Sequence, residues 1–277
     1  MILSVAKKIE YGSRVCIPYH NFLTNAKEMM EEIIQIHPAV IEAFPSILVE
    51  IAQVAIKFSQ FKNFKVKYAI TFGENMKLDQ RKFIEKNLGC EVIDRYGLEE
   101  FGAIGTECRY HNGFHLNVES FVLEIVDDNG FPVPLGKRGR IIITDLRNYA
   151  MPFVRYDTGD KGYFFTAPCS CGLENKQFMV EGRIGEFFLI GEKKIHYVEF
   201  ERIFESLSGA IVQYQVAKDD EDIVTLFIIR GPAMTELILE HIREKIQSLI
   251  GIGHHLNIEF VNEIKRTTRG KCQTLIS

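Results

Sequence analysis

At 277 residues and 46% hydrophobic, the chain can bury one large core or two ordinary ones. Its formal net charge is −4 and it has no long basic run, which argues against nucleic acid or an anionic membrane surface as a partner. No apolar stretch approaches the ~20 residues of a membrane span, and residues 1–8 gain charge too early for a signal peptide; a cytoplasmic location is expected, where six cysteines serve as thiols or metal ligands and not as disulfides.

Residues 25–36 set Met29, Met30, Ile33 and Ile34 among charges at helical spacing, which predicts an amphipathic helix ended by His37-Pro38. A short apolar run at 40–44 leads to Pro45, whose missing donor is harmless at a helix start, and to a helix over 46–58. A buried strand is expected at 67–72, a turn at Gly73-Glu74-Asn75, a helix at 78–87 and a further strand at 91–96. Strands alternating with helices at this spacing predict a parallel, helix-covered sheet. After Gly105 the pattern changes. Residues 114–127 and 139–146 predict antiparallel strands, with turns at Asp128-Asn129-Gly130 and Leu135-Gly136-Lys137. The apolar run Met151-Pro152-Phe153-Val154 predicts a short strand that ends in the turn Arg155-Tyr156-Asp157-Thr158-Gly159-Asp160. Gly159 there lets the chain turn so that Asp160 points into a cleft. Past Arg183, a helix over 198–207, strands over 211–217 and 223–229, a helix over 236–250 stopped by Gly251, and a strand over 256–261 predict a small sheet backed by helices. The expectation is an α/β protein. Residues 1–183 form part of a helix-covered sheet domain with a small β unit, and residues 184–277 form a small α/β domain.

Four stretches carry chemistry. Gly73-Glu74 lies between a strand and a helix, where glycine admits the close approach of a flat ligand. In Asp94-Arg95-Tyr96-Gly97-Leu98-Glu99-Glu100, Tyr96 offers a stacking face, and a carboxylate soon after it suits Mg²⁺, which prefers oxygen ligands. Asp160 can accept hydrogen bonds from paired hydroxyls. Cys108, His111, His115, Cys169 and Cys171 offer three sulfurs and two imidazoles, enough for a closed tetrahedral zinc site. His115 is the first choice as its nitrogen ligand and His111 the alternate; Cys16, Cys90 and Cys272 stand apart. No serine, histidine and aspartate set suggests a hydrolase.

These motifs are followed by Glu181-Gly182-Arg183-Ile184-Gly185-Glu186, by Val198-Glu199-Phe200-Glu201 and by the closing Arg266-Thr267-Thr268-Arg269-Gly270-Lys271. Their order resembles the adenylate-forming superfamily, in its phenylacetate-CoA-ligase-like, capsular-polysaccharide-associated branch, from about Ile41 to the C-terminus. The resemblance implies ATP-dependent activation of a small carboxylic acid, through an acyl adenylate to a coenzyme A thioester. It places Gly73, Glu74, Tyr96 and Gly97 around adenine, Mg²⁺ on Glu100, the ribose hydroxyls on Asp160, and Arg183 near the ribose. Lys271 then stabilises the charge on the carboxylate and α-phosphate during adenylation. Members of the branch often carry cysteines at these places, which adds to the zinc reading. Two positions depart from the pattern. Glu99 stands where a small hydroxyl residue is usual, and Gly185 where the pivot of a domain rotation is usually aspartate or lysine. The Ser/Thr/Gly-rich loop that wraps ATP phosphates has no counterpart, since Gly12-Ser13-Arg14 is too short and has no lysine. The expectation is thus the C-terminal portion of such an enzyme, inactive alone, completed by a missing N-terminal portion or paired as a homodimer. A non-catalytic AMP-binding remnant and an adenylyl transferase acting without CoA stand as alternatives.

Overall fold

The structure, a computed structural model, describes residues 9–11, 14–16, 26–61, 63–183, 187–191, 193–204, 207, 209–219, 223–266 and 272–276. A hairpin of β1 (Ile9–Tyr11) and β2 (Arg14–Cys16) comes first. The main sheet follows, built from β3 (Val40–Ala43), β4 (Tyr68–Phe72), β5 (Glu91–Leu98), β6 (Gly102–Glu107), β7 (Phe114–Leu116), β8 (Phe121–Val126), β9 (Gly139–Asp145), β10 (Tyr156–Phe164) and β11 (Gln177–Arg183). Its nine strands lie in the order β3-β4-β5-β6-β7-β11-β10-β9-β8. The first three are parallel. All later pairings are antiparallel, so the β unit continues the parallel sheet through one hydrogen-bonded ladder.

Three helices cover the parallel part: α1 (Ala26–Ile36), α2 (Pro45–Lys57) and α3 (Leu78–Leu88). Their apolar stripes meet the strands in one core around Met30, Leu48, Ile84, Leu88 and Val92, all without exposed surface. A second core, around Ile104, Phe121, Ile141, Ile143 and Phe178, fills the antiparallel part. After the hairpin β12 (Phe187–Ile190) and β13 (Lys193–His196) come α4 (Tyr197–Phe204), β14 (Ile211–Lys218), β15 (Val224–Arg230), α5 (Glu236–Ile250), β16 (Leu256–Phe260) and β17 (Leu275–Ile276). The second sheet has the order β16-β15-β14-β17. One of its faces packs on α4 and α5 through Phe200, Tyr214, Val216, Ile242 and Ile246. The other sends Val212 and Ile229 into the core of α1, α2 and α3, where Ile264, from beyond β16, joins them. β14 is therefore buried continuously from Ile211 to Val216 and shows no alternation. Gln215, buried within it, satisfies its amide N–H groups by donating to the carbonyls of Lys265 at 3.0 Å and Gln273 at 2.9 Å.

The second sheet seats itself on the loop and first turn of α3. Asp79 accepts from the backbone N–H of Gly209 at 3.1 Å, Asn75 donates to the Tyr197 hydroxyl at 3.4 Å, and the Lys77 ammonium lies 3.4 Å from the centroid of the Tyr214 ring. Gly182, at φ 122°, permits this approach, because a Cβ there would lie 1.6 Å from the Tyr197 hydroxyl oxygen.

Two expectations differ from the structure. The run at 151–154 is not a strand: β10 begins at Tyr156 and carries Asp157, Thr158, Gly159 and Asp160 inside it. Gly159, at φ 73°, makes a bulge there, and the ladder to β9 is interrupted between Asp157 and Lys161. The expected strand over 114–127 is two strands, β7 and β8, divided by a turn in which Ser120 N–H bonds the Asn117 carbonyl at 3.0 Å.

Asp94 on β5 is 7% exposed and accepts from the Thr71 hydroxyl at 2.6 Å. Burial pushes its carboxyl up to about 7, against the bond from Thr71. The folded value lies above the unfolded one of about 3.9, so this group's contribution is complete below about pH 4 and is lost as pH rises through 7. Asp94→Asn is expected to remove that loss, worth about 1.4 kcal/mol per pK unit. Urea unfolding at pH 5 and pH 8 checks it, and a variant whose stability falls between the two as much as the parent's rules it out.

Candidate active site

The parallel strands β4 and β5 open, at their carboxyl ends, onto the edge where α/β sheets bind ligands. Gly73 follows β4 at φ 75°, and Tyr96 lies one strand over on β5. The antiparallel part of the sheet curls back, so that Tyr96 meets β10, four positions away in the sheet order. Its hydroxyl donates to Asp160 Oδ2 at 2.6 Å. Asp160 pairs in register with Arg183 on β11, whose Nε lies 3.6 Å from Asp160 Oδ1. Asp160 is 5% exposed, whereas Arg183 is exposed. The Tyr96 ring is held by Phe178 at 5.8 Å and Phe114 at 6.0 Å between centroids. Burial, and then the charge of Asp160, raise the Tyr96 hydroxyl above its ordinary value and keep it a proton donor.

Glu100 sits in the turn between β5 and β6 and accepts from the Tyr156 hydroxyl at 3.2 Å, which ties it to the strand of Asp160. Gly97 closes that hairpin, since a Cβ would come within 2.3 Å of the Gly102 carbonyl oxygen. Glu74 is engaged in another direction. It accepts from Ser46 N–H at 3.1 Å, from the Ser46 hydroxyl at 2.9 Å and from the backbone N–H of Cys272. Lys271, Gly185 and Glu186 lie outside the described residues.

A second constellation stands at the far end of β11. Cys108 follows β6, His115 lies on β7, and Cys169 and Cys171 lie in the loop between β10 and β11. Their ligand atoms all fall within 4.8 Å of one another. The sulfurs of Cys108 and Cys169 are 3.6 Å apart, and Cys171 Sγ is 3.4 Å from His115 Nε2. A tetrahedron with Zn–S of about 2.3 Å and Zn–N of about 2.0–2.1 Å has edges of roughly 3.8 and 3.5 Å, close to these two separations, and the donor types suit that ion. The backbone N–H of Cys171 draws the Cys169 thiol down to about 7, with His115 and the neighbouring sulfurs adding to it. His111 faces elsewhere, with Nδ1 3.2 Å from Glu107 Oε2 and 3.1 Å from an Arg81 guanidinium nitrogen.

Residues 190–277 match the family model of the CapK C-terminal domain. A phenylacetate-coenzyme A ligase of Thermus thermophilus is 27% identical over 206 residues, covering 72% of this chain and 46% of the relative. Among solved structures, 2-hydroxyisobutyryl-CoA ligase in its postadenylation state, in complex with R3-HIB-AMP, superposes with a TM-score of 0.73 at 22% identity, over 90% of this chain and 56% of that one. The same ligase in its thioesterification state, with 2-HIB-AMP and CoA, gives 0.53. The chain is similar to these ligases. It spans about half the length of the curated relatives it matches.

On this ligase fold, Tyr96, Asp160 and Arg183 are drawn together, Glu100 joins them through Tyr156, and Glu74 turns to Ser46 and Cys272. The sequence alone gives Tyr156 no task; an aromatic residue four before Asp160 is the available signal. No helix among the described residues is long and apolar enough to cross a membrane.

Proposed function

We propose that this chain supplies the nucleotide-binding and metal-bearing portion of an AMP-forming acid–CoA ligase. The observation that carries this reading is the convergence of Tyr96, Asp160 and Arg183 beyond the carboxyl ends of the parallel strands. Gly73 and Gly97 admit the base beside Tyr96. The Asp160 carboxylate takes the ribose hydroxyls, and Arg183 adds positive charge next to it. Glu100 offers the oxygen ligand for Mg²⁺, which when bound neutralises charge on the phosphates. Lys271 acts in the adenylation step on the carboxylate and α-phosphate, and residues 184–277 form the mobile unit that carries it about Gly185. A small carboxylic acid and coenzyme A are the other substrates. The closer likeness to the postadenylation form of 2-hydroxyisobutyryl-CoA ligase supports an arrangement adopted around the adenylate. Cys108, His115, Cys169 and Cys171 would hold one structural zinc, since four protein ligands leave no open position.

None of the residues given these roles grips the β- and γ-phosphates, so adenylate formation needs further donors. Titration calorimetry of the 277-residue chain tests this. AMP should bind weakly, and ATP no more than about threefold tighter. A strong preference for ATP would show that the phosphate site has been misplaced; no AMP binding at all would remove the nucleotide reading.

A further inference from the structure

The second sheet turns one face to α1, α2 and α3, so α4 and α5 lie on its outer side. Both helices spend an apolar stripe on the sheet, Phe200 and Phe204 from α4 and Ile242, Ile246 and Ile250 from α5. The residues beside those stripes line a groove along the seam between the two helices. Glu199, Arg202 and Ile203 come from α4, and Lys245, Ser248 and Leu249 from α5, each set at the i, i+3, i+4 spacing that shares one helix face. Lys193, the first residue of β13, adds its side chain to the lining. The groove holds about 350 Å³, at the small end of the range for small-molecule sites. None of its residues belongs to the core that holds Tyr96.

The charge in this groove is unbalanced. Three cations face one carboxylate, and that carboxylate is already engaged, since Glu199 Oε2 accepts from the backbone N–H of His196 at 2.9 Å. Lys193 donates to the carbonyl of Leu249, close to the end of α5, where a helix leaves carbonyls unpaired. An ammonium has three donors, so that bond leaves two. Among the described residues, Arg202 and Lys245 form no ion pair and no hydrogen bond. Cations gathered around one hollow repel each other, and an anion placed between them reverses that cost. The half-buried Ile203 and Leu249 give the same hollow an apolar side.

We propose that the groove between α4 and α5 binds a phosphorylated small molecule, with its phosphate among Arg202, Lys245 and Lys193 and its organic part against Ile203 and Leu249. Arg202 offers a planar fork of donors that matches two phosphate oxygens, the lysines act as point charges, and the Ser248 hydroxyl is a further donor. A phosphate dianion offsets the excess of two positive charges, which a single carboxylate does not. Apolar surface beside the cations favours a small organic phosphate over an acidic protein segment. This site is separate from the one proposed for nucleotide and does not rest on it.

Line broadening in phosphorus NMR, with phenyl phosphate as the probe and the full chain at low ionic strength, tests the proposal. Arg202→Ala and Lys245→Ala should each weaken binding about fivefold, the effect of losing one exposed charge pair at the upper end of its range. The double variant should weaken it by more than either, and physiological salt should weaken it in the parent. All three cations are exposed, so the thermal midpoints of these variants should stay with the parent's. Phenyl phosphate should bind more tightly than methyl phosphate, because its ring covers apolar surface, and inorganic pyrophosphate should displace it. Asp160→Ala should leave the affinity within about twofold, since that carboxylate lies in the other site. Absence of broadening with the parent overturns the proposal, as does equal affinity in the parent and the double variant. Loss of binding in Asp160→Ala overturns it too, because the phosphate would then belong to the nucleotide site. Sulfate that displaces the probe as well as pyrophosphate does would show general attraction to positive charge and no site. Poly-glutamate that binds the parent where phenyl phosphate does not would give the groove to an acidic protein partner instead.

Discussion

Alanine at position 160 is expected to lower AMP affinity about 100-fold. An ionised carboxylate has room for about four hydrogen bonds, so the contacts from Tyr96 and Arg183 and a ribose diol can share it. Each charge-assisted bond to a ribose hydroxyl contributes about 1.5–3 kcal/mol, and losing about 3 kcal/mol in all is roughly two decades in Kd. The same change strips the buried Tyr96 hydroxyl of its acceptor, which costs stability as well. Asp160→Asn separates the two effects. It keeps an acceptor for Tyr96 and the shape of the bulge but loses the charge, so affinity should fall about tenfold with little change in thermal midpoint. Calorimetry on both variants decides the matter, and an alanine variant within threefold of the parent would take Asp160 out of ribose binding.

Serine at position 171 should cost the protein its metal and a large part of its stability. The hydroxyl has the shape of the thiol but does not ionise to a soft anion, and three remaining donors hold zinc far less well. Because ligands brought together by folding return their binding energy as folding energy, the loss is of several kcal/mol. For a chain of this size each kcal/mol moves the midpoint by about 2–4 °C, so a fall on the order of 10 °C is expected. A chelator should bring the parent down to the same midpoint and leave Cys171→Ser unmoved. His111→Ala should retain the metal, since that ring is engaged with Glu107 and Arg81. Elemental analysis finding no zinc in the parent after metal-free purification, or a serine variant that melts with the parent, would defeat the zinc reading.

The elements read from sequence were those whose burial follows their period. α2, β4, β5 and α5 carry regular apolar spacing or a compact buried run, and each forms close to its expected bounds. β6, with two glycines in Gly102–Glu107, and β11, with Gln177, Glu181 and Arg183, give little such signal; neighbouring strands make them strands. The misplaced start of β10 has a clear cause. Met151 and Val154 are 61% and 71% exposed, so their apolar character marks no core, while the polar Asp157–Asp160 stretch is recruited because its ladder partners β9 and β11 flank it. At the site, residue types were legible and orientations were not. Glu74 has the right chemistry for a ligand, yet its carboxylate is claimed by Ser46 and Cys272. The contact between Arg266 and Glu50 spans 216 residues, and no local pattern encodes a pairing of that range.

The two ends of β11 give that strand a second meaning. Gln177 pairs with His115, beside the sulfur cluster, and Arg183 pairs with Asp160, beside Tyr96. Seven residues therefore work as a tie rod between a thiol knuckle and a carboxylate pocket. A slip of one residue along it would turn Arg183 to the opposite side of the sheet and away from Asp160.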